Sequence, residues 1–321
     1  MKEYEELKRI AIRVIQEEVE AISSLKLAID DDFIQCVGKI FQSRGRVVIT
    51  GIGKSAHVGA KIVATLNSTG TPAIFMHAAD AIHGDLGTIQ KEDITLCISK
   101  SGETPEIKVL VPLLKLHGSL LIAMVGNRNS YLAKQADYIL DTTVTKEACG
   151  NNLAPTTSTT MQMVMGDALA VCLLEQRGFT QSDFAKLHPG GALGKQLYLK
   201  VADLYITNQV PKVQMTDSLQ NVIYEISSKR LGATAVMDGE SLVGIITDGD
   251  LRRMLEKNTD IQQFSAADIM GRNPRTIEPE MLVVKALSIM QKNNITQLLV
   301  KEGEKYLGVV HLHDILREGI L

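Results

Sequence analysis

The last third of the chain copies itself. "VPKVQMTDSLQNVIYEISSKRLGATAVMDGESLVGIITDGDLRRML", Val210 to Leu255, aligns with "NPRTIEPEMLVVKALSIMQKNNITQLLVKEGEKYLGVVHLHDILREG", Asn273 to Gly319. Pro211 pairs with Pro274, Leu219 with Leu282 and Ile226 with Ile289 at a step of 63, and Asp250 with Asp314 at a step of 64. Each copy reads turn, helix, strand, short turn, strand, helix. A duplication of this kind constrains the fold more than any single motif inside it.

Ahead of the repeat, apolar runs at "RVVITG", "PAIFMH", "ITLCISK", "SLLIAMVG" and "YILDTTV" alternate with helical stretches such as "HVGAKIVATLNSTG" and "PEIKVLVPLLKLHG". Strands that alternate with helices pair in parallel through right-handed crossovers. The expected fold class is therefore α/β: a doubly wound parallel-sheet domain over residues 1–200, with an N-terminal helix and an exit linker, then a tandem α+β pair over 207–264 and 265–321. Ligands of such sheets gather at the carboxyl ends of the strands. Here those ends carry Gly51 to Ser55, His77 to Asp85, Ser99 to Glu106 and Thr145 to Asn152. A long helix is expected from Thr157 to Arg177, and "KLHPGGALGKQLYLKVADLY" leads out of the domain.

Composition narrows the partners. With 321 residues, 45% of them hydrophobic, the chain has ample material for two or three cores. Lys+Arg 34 against Asp+Glu 37 gives a net charge of -3, and no basic run exceeds "LRR", which argues against a nucleic-acid groove or a polybasic membrane arm. The N-terminal "MKEYEELKRIAIRVIQEEVEAISSL" mixes charge with apolar residues at helical spacing. It reads as neither a secretory signal nor a membrane span, so a cytoplasmic protein is expected. Cys36, Cys97, Cys149 and Cys172 lack CxxC spacing and read as reduced thiols.

Two loops carry the chemistry. In "RVVITGIGKSAHVG", Arg46 to Gly59, a strand runs into a glycine pair, a lysine and a serine. A P-loop requires a glycine where Val48 stands. Gly51, Gly53 and Ala56 match the loose dinucleotide pattern GxGxxA, but that fingerprint also wants an acid at the end of the next strand, and "PAIFMHAAD" ends in His77 with Asp80 beyond it. What remains is a glycine turn, free N–H groups at a helix start, the Lys54 charge and the Ser55 hydroxyl: a site for a small anion. In "SKSGETPEI", Ser99, Ser101 and Thr104 follow a strand, with Thr104 at the N-cap and Pro105 at the first helical position. Read alone, that loop is equally an ordinary capped helix whose Glu106 complements the dipole. Its convergence with the lysine loop on one sheet favours a phosphate.

These loops, together with "STGTPAIFMH", "HGDLG", "KEACGNNLAPTTSTTMQMVMGDALA" and "LHPGGALGK", resemble the sugar isomerase (SIS) domain of aldose–ketose phosphosugar isomerases. "GIITDGDLRR" resembles the second strand and closing helix of a CBS module, the cystathionine β-synthase type. The resemblance covers nearly the whole chain. It implies an isomerase that interconverts D-ribulose 5-phosphate and D-arabinose 5-phosphate through an enediol, feeding Kdo synthesis for lipopolysaccharide or capsule. No cofactor is implied.

By resemblance, Lys54, Glu106, Glu147 and His188 are catalytically relevant and His83 lies beside the substrate, while Gly53, Ser55, Gly70, Thr71, His77, Ser99, Ser101 and Thr104 bind it. The reaction needs a base that moves a proton between C1 and C2, a donor to the developing oxyanion and a phosphate anchor. Glu147 is favoured as the base because "TKEACGNN" lies away from the hydroxyl loop; Glu106 lies beside that loop and is turned toward orienting a hydroxyl. Lys54 stabilises the enediolate or the phosphate, and His188 shuttles protons between oxygens. By spacing alone His188 shapes the linker as readily. His77 and His83, six residues apart, do not make a zinc site by spacing; the resemblance implies that His77 takes a zinc ion that inhibits. The chain departs from the family pattern at Asp80, where many relatives have glutamate, and at Gly150, where proline is usual and whose absence loosens the Glu147 loop.

For the repeat, the resemblance places Asp250 and Asp314 on the ribose hydroxyls of a nucleotide and Thr247 at its phosphate, which implies a nucleotide or CMP-sugar effector. A dimerisation platform is the alternative, because "HLHD" lacks the threonine of "TDGD". A homo-oligomer, specifically a homotetramer, is expected, with His188 completing a neighbour's site. The rival readings are an SIS isomerase for a hexose 6-phosphate or amino sugar phosphate, and a non-catalytic sugar-phosphate sensor. The sensor reading usually brings a helix-turn-helix, for which the N-terminal segment with "EEVEA" is too acidic and too short.

Overall fold

Continuous apolar strands need cover on both faces, and helices supply it in the first unit. The computed structural model describes residues 4–257 and 263–320, and falls into two units, Met1–Phe184 and Ala185–Leu321. In the first, β1 (Val47–Gly51), β2 (Ala73–His77), β3 (Ile94–Ser99), β4 (Leu120–Val125) and β5 (Tyr138–Asp141) form one parallel sheet in the order β2-β1-β3-β4-β5. The helices are α1 (Tyr4–Ser24), α2 (Asp31–Gln42), α3 (Lys54–Ser68), α4 (Ala78–Ala81), α5 (Pro105–Leu116), α6 (Tyr131–Gln135) and α7 (Thr157–Arg177). Residues alternate across each strand. Val47, Ile49, Leu96, Ile98, Ile122 and Met124 join Phe33, Ile62 and Met165 of α2, α3 and α7 in one core. Val48, Cys97, Leu121 and Ala123 join Ile107 and Leu110 of α5 in the other.

This strand order reverses its winding between β1 and β3, and open α/β sheets bind ligands at that switch point, beyond the carboxyl ends of the strands. The lysine loop follows β1 and the hydroxyl loop follows β3. The long helix runs over Thr157–Arg177 as expected, and Gly178 ends it at φ 61.

The second unit contains α9 (Ala192–Tyr198) and α10 (Val201–Tyr205), while α8 (Gln181–Leu187) crosses into it from the first. One module then holds β6 (Lys212–Gln214), α11 (Leu219–Lys229), β7 (Ala233–Asp238), β8 (Ser241–Thr247) and α12 (Asp248–Lys257). After α13 (Ala266–Ile269) and β9 (Gly271–Arg272), the other holds β10 (Thr276–Ile277), α14 (Val283–Asn293), β11 (Gln297–Glu302), β12 (Lys305–His311) and α15 (Leu312–Arg317). Their sheets are ordered β6-β7-β8-β9 and β10-β11-β12. Leu231, Ala235 and Met237 of the first module share a core with Leu299, Tyr306 and Val309 of the second.

Two expectations change. The exit segment, assigned to the first domain up to residue 200, belongs to the second unit: Lys195 Nζ pairs with Glu318 at 2.8 Å, and the Val283 N–H donates to the Leu199 carbonyl at 2.8 Å. The repeat also has a single step of 64 rather than a step of 63 that lengthens. The helix N-caps are Ser218 and Leu282, the left-handed C-caps Arg230 and Asn294, and the buried helix residues Leu219, Val222 and Ile226 correspond to Val283, Ala286 and Met290. Leu282 sits outside the helix that Val283 begins. Residues 1 and 321, the expected domain ends, and 258–262 lie outside the described residues.

Candidate active site

Between Gly51, the last residue of β1, and Lys54, the first of α3, the chain turns through Gly53 at φ 59, a left-handed conformation that glycine adopts without strain. Lys54 thereby starts the helix with Ser55 beside it. Gly166 of α7 fixes the next contact: a Cβ there would collide with the Ile62 side chain, so α3 and α7 approach closely. That approach brings the Ser55 hydroxyl to 3.3 Å from Gln162 Oε1, to which it donates.

The loop after β3 supplies the facing wall. Ser99 is buried and its Oγ accepts from the Gly102 N–H at 3.1 Å, while Ser101 Oγ accepts from the Glu103 N–H at 3.2 Å. Thr104 stands at the N-cap of α5, but its hydroxyl makes no cap bond. That oxygen is buried without a hydrogen-bond partner among the described residues. Buried hydroxyls are nearly always paired, so an orphan in a cavity wall marks a place for a ligand's polar group. The cavity, of about 270 Å³, is lined by Lys54, Ser55, Ser99, Lys100, Ser101 and Thr104 from the two loops, and by Pro155, Ser158, Thr159 and Gln162 from the start of α7.

Glu147 lies behind this wall and is buried. Its Oε1 receives Lys100 Nζ at 2.5 Å and the Ser158 hydroxyl at 2.6 Å. Its Oε2 accepts from the N–H of Thr156 at 2.9 Å, the N–H of Ser158 at 3.1 Å and the Thr156 hydroxyl at 3.3 Å. Burial pushes the carboxyl pKa up, but Lys100, the Ser158 hydroxyl and the two N–H groups outweigh it and hold the group at about 2. The loop behind Glu147 is pinned by its own N–H donating to Asn152 Oδ1 at 2.7 Å, with Asn152 at φ 54. Cys149 Sγ accepts from the N–H groups of Leu153 and Ala154. Burial raises this thiol's pKa, and those N–H donors more than reverse it.

Of the residues singled out in the sequence, Lys54, Ser55, Ser99, Ser101 and Thr104 share the cavity wall, and Glu147 reaches it through Lys100 and Ser158. Gly53 shapes the turn behind it. Glu106 sits in the first turn of α5, outside the lining. His77 closes β2 with Nδ1 3.8 Å from Asp80 Oδ2, and His83 is exposed in the following turn. Among the described residues no three His, Cys, Asp or Glu side chains cluster to hold a metal. His188 belongs to the second unit, just after α8.

Gly70 and Thr71 correct an expectation. They precede β2, at the amino edge of the sheet, away from the carboxyl edge where the cavity opens. Phe179 packs over Gly70, and Thr71 Oγ1 accepts from Arg177 Nε at 3.1 Å. Sequence reasoning passes over Lys100, Ser158, Thr159 and Gln162. Lys100 is legible as the one lysine inside the hydroxyl loop, and "TSTT" as hydroxyls at the start of a long helix.

In the second unit Asp250 and Asp314 are committed to the chain itself. Asp250 Oδ2 accepts from the N–H and hydroxyl of Thr247 at 2.9 and 2.6 Å, while Oδ1 receives Arg253 at 2.6 Å. Burial raises the Asp250 pKa, and these bonds carry it below the ordinary value. Asp314 Oδ2 accepts from the His311 N–H at 2.9 Å and from Asn208 Nδ2 at 2.7 Å. Both aspartates occupy the third helical position of a capping turn, which gives Thr247, Asp250 and Asp314 a local structural role.

The SIS domain family matches residues 39–172, and the CBS domain family matches 201–257 and 266–320. The arabinose 5-phosphate isomerase KdsD of Yersinia pestis is 48% identical over 311 residues, 96% of this chain and 95% of that protein. Its Pseudomonas aeruginosa counterpart is 48% identical over 314 residues, 97% of this chain and 96% of that protein. The solved structure of E. coli CFT073 c3406, a complex with arabinose 5-phosphate, matches with TM-score 0.56 and 37% identity, covering 59% of this chain and 100% of that one. An SIS sheet with its cavity at the switch point, a CBS pair after it and relatives this similar along their whole length have one conclusion: the chain belongs to the arabinose 5-phosphate isomerase family.

Proposed function

We propose that this chain interconverts D-ribulose 5-phosphate and D-arabinose 5-phosphate in the cytoplasm, at the cavity between the lysine and hydroxyl loops, and so supplies Kdo synthesis. The observation that carries the reading is the unpartnered Thr104 hydroxyl in a wall that also holds Ser55, Ser99, Ser101 and two lysines. The phosphate sits among those hydroxyls, with Lys54 balancing its charge. Glu147 takes a proton from C1 of the ketose while O2 is protonated, giving the enediol. The proton then returns to C2 as O1 gives up its own, which leaves the aldose with no net gain or loss of atoms. Glu106 orients a hydroxyl, and His188 and His83 are proposed to act beside the sugar oxygens. Proton NMR of the purified protein with ribulose 5-phosphate tests the activity. Appearance of the arabinose 5-phosphate anomeric signal without added nucleotide or metal is the expected result; conversion of a hexose 6-phosphate or amino sugar phosphate instead would reassign the substrate.

A homo-oligomer, a tetramer in which His188 serves a neighbouring copy, is part of this proposal. Mixing inactive Lys54→Ala and His188→Ala chains under subunit exchange should restore activity. Micromolar zinc should inhibit through His77, an effect that fades in His77→Ala. For the CBS pair we propose regulation by a nucleotide or CMP-sugar. Because Asp250 and Asp314 are engaged internally, such a ligand either opens the capping turns or binds through other groups. Calorimetry against adenine and cytidine nucleotides and CMP-Kdo reads this directly.

A further inference from the structure

Glu147 presents a difficulty as a base. Both of its oxygens are saturated, Oε1 by Lys100 and Ser158 and Oε2 by Thr156 and Ser158. A carboxylate so engaged is fully ionised and a weak proton acceptor. Apart from Lys100, every donor belongs to Thr156, the N-cap of α7, or to Ser158 in its first turn; the two N–H groups are fixed by that turn, and the two hydroxyls sit on short side chains that can only rotate in place. Lys100 differs. It carries its ammonium on a flexible four-carbon stem, its side chain is 41% exposed, and it stands between Ser99 and Ser101 in the wall of the cavity.

We propose that Lys100 is a substrate-operated clamp: in the free enzyme its ammonium holds Glu147 Oε1, and on binding it passes to the phosphate of the sugar, opening that oxygen to the reacting carbons. A phosphate carries about -1.5 to -2 charges near neutral pH against one on the carboxylate, so it outcompetes Glu147 for a single ammonium. The charged or titratable groups around Glu147 are Lys100 from the loop after β3, Cys149 and Lys146 on its own loop, the latter paired with Glu17 of α1 at 2.8 Å, and, across the cavity that Lys100 lines, Lys54 of α3. The α7 donors are uncharged hydroxyls and N–H groups. Departure of Lys100 therefore removes the only ion pair that the carboxylate makes among the described residues. The arrangement makes the base available only when a phosphate is bound, and keeps the carboxylate ionised and neutralised until then. Lys100 is thus a positioning residue for Glu147 in the free state and a phosphate ligand in the complex. The inference rests on the proposed role of Glu147 as the base.

The test is carboxyl ¹³C NMR of the full-length protein, with the Glu147 signal assigned by its loss in Glu147→Gln. In the free wild type this carboxyl should not titrate down to the lowest pH at which the protein stays folded. Saturating arabinose 5-phosphate, or inorganic phosphate as a probe, should shift the signal and move its titration up into the ordinary carboxylate range. Lys100→Gln keeps a donor to Oε1 without the charge, and so guards against simple misfolding. In this variant the neutral amide has no charge to draw it to the phosphate, so the carboxyl should titrate identically with and without ligand. KM should rise about tenfold for the lost charge-assisted bond to the phosphate, and kcat should fall as well because Oε1 stays engaged. A wild-type carboxyl indifferent to both ligands overturns the clamp. So does a Lys100→Gln enzyme with lowered kcat and unchanged KM, since that marks Lys100 as a fixed partner of the base. Should the wild type turn over neither pentose phosphate, the isomerase reading fails, while the response of Glu147 to inorganic phosphate still decides the clamp.

Discussion

At the scale of single residues, Thr104 and Glu147 represent opposite polar arrangements. Thr104 keeps a buried hydroxyl that no protein group satisfies among the described residues. Thr104→Val removes that cost, so thermal unfolding should show stability unchanged or raised by up to about 1 kcal/mol, while KM for the sugar phosphate rises several-fold. A variant that loses stability would mean the hydroxyl has an internal partner after all. Glu147 is held at about 2, below its ordinary 4.5. A folded-state value below the unfolded one adds stability that is complete above the unfolded value and is lost as pH falls through the folded value. The gap corresponds to on the order of 3 kcal/mol. Wild type should therefore exceed Glu147→Gln in stability at neutral pH and lose that advantage between about 4.5 and 2, as read by urea unfolding across pH. The same variant should bind substrate yet turn over about 10² to 10⁴ times more slowly, the usual weight of a lost acid–base group.

At the scale of elements, the site depends on how closely α3 and α7 approach. Gly166→Leu would drive a side chain into Ile62, whose atoms already occupy the space where a Cβ would stand. The expected cost is about 1–3 kcal/mol in unfolding, with a raised KM as Gln162 is displaced from Ser55; unchanged KM in a destabilised variant would separate packing from the site. The elements are the most legible part of the sequence. Five apolar runs and a helix from Thr157 to Arg177 announce themselves by length and spacing, and the switch-point loops by their glycine, lysine and hydroxyls. The repeat register misleads because Leu282 and Val283 are both apolar, and only the start of α14 shows which one is buried in the helix. The exit segment misleads for a related reason: α9 is held by Glu318, more than a hundred residues away in sequence. Thr71 reads as a binding hydroxyl until strand direction puts it at the wrong edge of the sheet. Lys100 is visible as a lysine in the hydroxyl loop, but its ion pair with Glu147, across 47 residues, leaves no trace in local pattern.

At the scale of the whole molecule, α1 is incomplete by itself. It is 21 residues long and none of them is buried. It rests on the first unit through half-buried Ala21, packed against the core, and through Glu17 with Lys146 at 2.8 Å and Glu18 with Thr160 at 3.3 Å. Tyr4, Leu7, Ile12, Ile15 and Val19 remain 81%, 55%, 47%, 63% and 55% exposed. Their spacing alternates between three, four and five residues, which draws one apolar stripe along a helix. Scattered exposed leucines are ordinary, but a stripe of five large apolar residues on one helix marks a contact surface. The occupant consistent with the proposed oligomer is α1 of another copy, since a symmetric pair buries the same stripe twice. Light scattering on the intact protein should give a multiple of the 35.0 kDa chain mass. The Leu7→Glu, Ile15→Glu double variant should fall to a smaller species while its unfolding midpoint, measured at low concentration, stays close to that of the wild type, because neither side chain is part of the core. A wild type at 35.0 kDa would refute the assembly outright. An unchanged mass in the double variant would place the interface elsewhere on the chain.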